Sequence, residues 1–225
     1  MQTMLHGNLG MHKCILLDVD GTLIDSSPGL YSSFLNASNL SGLEKIDEDK
    51  FRNNIGPPID IIFSNFYDRG HNVKEKFIKF FREDYDNRGY LAYKTKFNIE
   101  VLKKIKHKNI YLGIVTNKPT LPTLNILEDM RTISLFDDVV CKDTFNVKFN
   151  KRRNLKLFLS KIKNSIEIKN SEIIYIGDTP EDHDAASFNN ISFAGVADGF
   201  HSWDLNSGTS DIFPSLNSIL NKYIT

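Results

Sequence analysis

The chain has 225 residues, with 28 Lys and Arg against 28 Asp and Glu, and an apolar share of 40%. Balanced charge excludes a global electrostatic pull toward nucleic acid or an anionic membrane, so any charge logic must be local. That apolar share excludes a disordered chain, and no apolar run approaches the ~20 residues that cross a bilayer.

In chain order, the opening MQTMLHGNLGMHK lacks the apolar centre of a secretory signal, and Met11 is an alternative start. Residues 12–17, ending in CILL, read as a short buried strand. Similar apolar runs recur at 110–115, 137–141 and 172–177, with a weaker one at 191–196. Helix-like segments lie between them at roughly 98–108, 120–130, 150–163 and 180–189. This alternation predicts βαβ units and a parallel sheet covered on both faces, an α/β, doubly wound (Rossmann-like) core. Cys14 and Cys141 each fall in a strand-like segment. Two scattered cysteines make no disulfide framework and read as reduced, buried thiols of a cytoplasmic protein.

Residues 27–95 break the rhythm, because they contain no convincing strand. PGLYSSFLNASNL, IDIIFSNFY and FIKFFREDY read as helices, the last with Phe77, Phe80, Phe81 and Tyr85 at helical spacing. The expected organisation is a core of residues 11–26 and 96–225 with a small all-helical domain at 27–95. An insert directly after the first strand belongs over that strand's carboxyl end, where open α/β sheets bind ligands.

Polar residues gather at the carboxyl ends of the core strands. Asp18 and Asp20 follow the first, Thr116, Asn117 and Lys118 the second, and Asp178 and Asp182 the fourth; Lys148 and Lys151 flank the start of the helix at 150–163. Converging carboxylates are costly unless a cation and an anion compensate them. With no Cys or His beside them they favour a hard cation such as Mg2+, which commonly takes one or two carboxylates plus waters and substrate phosphate. A lysine, a Thr/Asn pair and the backbone N–H groups of the Gly21-Thr22 turn suit a phosphate. An ionised Asp aimed at phosphorus is a nucleophile, and a second Asp two residues on can exchange a proton with the leaving group.

These residues resemble the haloacid dehalogenase superfamily, specifically its phosphatase branch, which is phosphoglycolate-phosphatase-like. That family's Asp-x-Asp-Gly-Thr motif is matched by Asp18 to Thr22, its strand-ending Ser or Thr by Thr116 in GIVTNKP, and its Gly-Asp-x-x-x-Asp motif by Gly177, Asp178 and Asp182. The motif order spans residues 12 to about 190. The resemblance implies a Mg2+-dependent hydrolase of a small phosphorylated metabolite: phosphoglycolate, a sugar phosphate or a nucleoside monophosphate. Asp18 is then nucleophile and metal ligand. Asp20 is the general acid/base and gives its backbone carbonyl to the metal. Asp178 is a direct ligand, and Asp182 holds a metal-bound water or orients the site. Thr116 and Asn117 bind the transferring phosphoryl group, and the helical insert is the family's cap. A phosphomutase of the same superfamily is the alternative, and a non-enzymatic phosphate sensor or interaction protein a third reading. Dehalogenation is disfavoured because such dehalogenases lack the acid/base that Asp20 supplies.

The family's third motif is where the chain departs, since no Lys-Pro-x-Pro stretch is present. Lys151, opening a helix with Leu155 and Leu159 on one face, is favoured as the site lysine over Lys148, one turn earlier. Lys118 has two readings, substrate contact or a nearby ion pair. Gly56 and Pro57 of NIGPPID likewise read either as a pocket wall, by the resemblance, or as a stiff turn before a helix. His183 sits between Asp182 and Asp184, but neighbours on a helix point about 100° apart, so the three do not converge on one ion. KKIKHK at 103–108 reads as a solvated helix face, which with the balanced charge argues against nucleic acid as a partner. Nothing in the spacing assigns an oligomeric state.

Overall fold

The computed structural model describes residues 12–145, 150–203 and 211–224. The chain divides into two compact units, Met1–Ile24 with Thr95–Thr225, and Asp25–Lys94.

In the first unit, strands β1 (Cys14–Leu17), β4 (Tyr111–Val115), β5 (Asp138–Val140), β6 (Ile173–Gly177), β7 (Ser192–Val196) and β8 (Ile212–Phe213) form one sheet in the order β5-β4-β1-β6-β7-β8. Every neighbouring pair is parallel. Helices α5 (Ile99–His107), α6 (Thr120–Asp129), α7 (Lys151–Ser165), α8 (Pro180–Phe188) and α9 (Leu216–Leu220) connect or follow these strands. The central strands β1 and β6 are buried throughout, which is why CILL and IIYIG read as unbroken apolar runs. The chain runs outward from β1 in both directions, through β4 to β5 and through β6 to β8. The strand order therefore reverses beside β1, and the crevice at its carboxyl end is the expected ligand position. Leu17 pairs with both Ile114 and Ile176, so the residues just past these three strands lie level with one another.

The second unit holds α1 (Ser27–Leu40), α2 (Glu48–Arg52), α3 (Ile59–Phe66) and α4 (His71–Asn87). Two-residue strands β2 (Ile24–Asp25) and β3 (Lys94–Thr95) pair where the chain passes between units. The aromatic stripe at 77–85 is this unit's core: Phe77, Phe81 and Tyr85 are buried, and Phe77 meets Phe34 and Phe63 at ring distances of 5.0 and 4.9 Å. Helix α4 starts earlier than its aromatics advertise, because its first turns are polar. The five-residue α2 is held by the Asp47 carboxylate, which accepts the N–H groups of Asp49 and Lys50.

Packing of α7 on the sheet places the rim of the crevice. Leu155, Phe158, Leu159 and Ile162, at i, i+3, i+4 and i+7, are buried in a cluster with Leu16, Val115 and Tyr175. Gly113 makes room for it: a Cβ there would lie 2.8 Å from Leu16 Cδ2 and 3.1 Å from the Phe158 ring. The same seating fixes the first turn of α7, where Lys151 stands. Phe158→Ala should therefore destabilise the protein by about 3–5 kcal/mol, the cost of emptying a fully buried aromatic site. Chemical denaturation measures this, and a loss below about 1 kcal/mol would contradict the packing described.

Candidate active site

Asp18 is the first residue past β1, and its N–H extends the ladder by donating to the Ile176 carbonyl at 3.0 Å. Its side chain is 8% exposed. The chain then turns tightly: Leu23 and Ile24 N–H donate to the Val19 carbonyl, and Gly21 N–H donates to the Ile24 carbonyl at 2.8 Å. Gly21 has φ +79, and a Cβ there would fall 2.0 Å from Asp178 Oδ2, so both backbone and contact demand glycine. The amides of this turn find acceptors within the turn itself. Gly21 N–H is committed to Ile24, and Thr22 N–H lies 3.3 Å from the Val19 carbonyl. The Thr22 hydroxyl reaches Asp178 Oδ1 at 3.4 Å. These two residues border Asp178, and the tight turn is closed with its own donors.

Asp178 and Asp182 come from the end of β6 and the first turn of α8. Thr179 and Asp182 form a capping box: Asp182 Oδ2 accepts the Thr179 N–H at 3.0 Å and its hydroxyl at 2.6 Å. Asp182 Oδ1 accepts from the Tyr175 hydroxyl at 2.9 Å and pairs with Lys151 Nζ. Both Asp182 oxygens are thereby taken by protein donors. Lys151, at the first position of α7, also lies 3.3 Å from Asp18 Oδ1, which accepts no hydrogen bond among the described residues. Helix α7 begins here because Asn150 caps it, accepting the Arg153 N–H at 3.1 Å. Lys148 lies outside the described residues.

Ligand oxygens of Asp18, Asp178 and Asp182 all lie within 4.8 Å of one another, and all three residues are buried. One buried lysine faces three carboxylates, so negative charge is in excess where water is scarce. Burial pushes the Asp18 carboxyl well above the usual carboxylate range; Lys151 opposes the shift, and Asp182 and Asp178 add to it. Burial, reinforced by Asp182, raises Asp178 to about 6, against the pull of the Phe200 N–H and Lys151. For Lys151, burial disfavours the ammonium, but Asp18 and Asp182 outweigh it and its pKa rises. Such a cluster takes up protons or holds a cation, and the all-oxygen donor set fits a hard metal ion.

Thr116 is buried just past β4. Its N–H donates to the Val140 carbonyl at 2.9 Å, and its Oγ accepts the Lys118 N–H at 3.2 Å. Among the described residues no acceptor takes its hydroxyl hydrogen. Of the two readings of Lys118, the ion pair is present: Nζ lies 3.0 and 3.1 Å from the Asp20 oxygens, with its side chain 3% exposed. Asn117 is exposed and donates to Glu181 at 2.8 Å. Gly56 and Pro57 lie in the second unit, exposed, just before α3. His183 is exposed, with its ring edge-on to Phe193, and Asp184 pairs with Arg152. Sequence reasoning missed Tyr175, Lys96 and Phe200, which hold Asp182, the Gly21 carbonyl and Asp178 respectively. Tyr175 hides inside an apolar strand. Phe200 acts through its backbone, which no residue type announces.

The haloacid dehalogenase-like hydrolase family model matches residues 15–196. The chain is 26% identical over 219 residues to the phosphoglycolate phosphatase of Vibrio parahaemolyticus, covering 92% of this chain and 94% of that one. It is 27% identical over 227 residues to the phosphoglycolate phosphatase of Aliivibrio fischeri, covering 94% of each. Its fold matches a Clostridium difficile crystal structure with a TM-score of 0.84 at 24% identity, covering 94% of this chain and 98% of that one. A haloacid dehalogenase-like family hydrolase from Streptococcus pneumoniae matches with a TM-score of 0.80 at 22% identity, over 95% and 99% of the two chains. With the motif residues assembled at one rim and the family model spanning most of its length, the chain belongs to the haloacid dehalogenase-like hydrolase family, alongside its phosphatases.

Proposed function

We propose that the chain is a Mg2+-dependent phosphatase that hydrolyses a small, phosphoglycolate-like phosphate monoester through an aspartyl-phosphate on Asp18. The observation that carries this reading is the buried excess of carboxylate around one lysine, since two of the three acids are displaced toward protonation in the bare protein. Relatives named phosphoglycolate phosphatase, matched along nearly the whole chain, support the substrate class. No helix among the described residues is long and apolar enough to cross a membrane, and the two buried free thiols suit a cytoplasmic setting.

Asp18 and Asp178, with the Asp20 backbone carbonyl, would hold Mg2+. Bound there, the ion attracts phosphoryl oxygens and keeps the carboxylates ionised. Asp18 attacks phosphorus as the ester P–O bond breaks, and the leaving oxygen takes its proton from the Asp20 carboxyl. Asp20 then accepts a proton from water as that water attacks phosphorus. The bond to Asp18 breaks, releasing inorganic phosphate and restoring both acids. Lys118, bonded to both Asp20 oxygens, fixes where that carboxylate points. The Thr116 hydroxyl and Lys151 bind the transferring oxygens, Asn117 flanks them at the rim, and Asp182 holds Lys151 in place.

Asp18→Asn should lower release of phosphate from p-nitrophenyl phosphate by roughly 10³-fold or more while leaving the circular dichroism spectrum unchanged. Turnover near the wild-type rate in Mg2+ would contradict the nucleophile assignment. Because a protonated Asp178 cannot ligate, protons should compete with the cation below a pH of about 6. The Mg2+ concentration for half-maximal activity should then rise by at least about tenfold per pH unit below that point, since Asp18 is also displaced toward protonation. A value that stays flat as pH falls well below 6 would contradict the assignment of Asp178 as a ligand.

A further inference from the structure

The carboxylate of Asp178 is clasped from outside its own strand. Its Oδ2 accepts the Phe200 N–H at 2.7 Å, and its backbone carbonyl accepts the Trp203 indole N–H at 2.8 Å. Gly21 and Gly199 press on the same residue: a Cβ on either would fall 2.0 or 2.2 Å from the nearest Asp178 atom. Two loops thus meet at Asp178, the turn after β1 and the segment after β7. The Lys96 side chain bridges those loops directly. Lys96 Nζ donates to the Gly21 carbonyl at 2.6 Å and the Asp198 carbonyl at 2.5 Å, and it lies 3.1 Å from Asp198 Oδ1. These three acceptors match the three protons of an ammonium. The Lys96 side chain is 10% exposed, and its backbone is pinned by its own N–H to the Leu23 carbonyl at 3.0 Å.

We infer that Lys96 is a positioning residue for the cation site: by locking the Gly21 turn to the Asp198–Phe200 segment, it fixes the direction of the Asp178 carboxylate. It touches neither substrate nor ion. A ligand carboxylate gains affinity from being held in its binding orientation before the ion arrives, so loosening its supports weakens binding more than it weakens the chemistry. This inference rests on the proposed reading of Asp18 and Asp178 as cation ligands.

The test is Mg2+ binding to the full chain, measured by calorimetry and by the fluorescence of Trp203, the chain's one tryptophan. Lys96→Met should weaken Mg2+ binding by about 10-fold or more, with kcat at saturating Mg2+ changed much less. Lys96→Arg should recover part of the affinity, and Asp198→Asn should weaken binding in the same direction. Circular dichroism and the melting temperature without Mg2+ identify any variant that fails to fold, and Asp198→Asn then carries the test. Wild-type protein that binds Mg2+ alongside folded Lys96→Met or Asp198→Asn with unchanged affinity would overturn this inference alone. Wild-type protein that does not bind Mg2+ would overturn the underlying reading of the site.

Discussion

Three buried carboxylates face one buried lysine at the end of β1, and most of what is distinctive about the first unit follows from that imbalance. A carboxylate moved from water into an interior protonates or finds a positive partner. Lys151 pairs with one oxygen of Asp182, whose other oxygen Thr179 takes, and lies 3.3 Å from Asp18. The Asp178 carboxylate receives the Phe200 N–H from a distant loop in place of a lysine, and the Trp203 indole holds the Asp178 backbone carbonyl. The remaining negative charge is what a bound cation would offset.

The fold supplies this arrangement through strand ends and helix starts. Asp18 and Asp178 stand just beyond paired strands whose register brings Leu17 level with Ile176. Lys151 and Asp182 each occupy the first turn of a helix, and those helices are anchored by Asn150 and by the Thr179 capping box. Asp182 closes its own helix with one oxygen and holds Lys151 and Tyr175 with the other. A residue so fully engaged orients its neighbours and has little freedom to rearrange around an ion.

Much of this was legible in the sequence because it depends on residue type and period. Buried parallel strands advertise themselves as apolar runs, and Asp18, Asp20, Thr116, Asp178 and Asp182 stand at their ends. The Leu155 and Leu159 stripe that seats α7 was legible too, with Lys151 favoured at its start over Lys148, which lies outside the described residues. The two-residue β8 was not legible, since a pair of residues carries no period. The clasp on Asp178 was hidden for a different reason: Phe200 contributes an amide, Gly199 contributes the absence of a Cβ, and Lys96 acts on backbone carbonyls far away in the chain.

A cation between Asp18 and Asp178 is the claim on which the chemistry turns. Anomalous scattering from crystals soaked in Mn2+ tests it most directly. A single peak at ligand distance from both carboxylates, with Lys151 still on Asp182, is the expected result. Crystals that show no peak there, or peaks only at surface carboxylates, would contradict it.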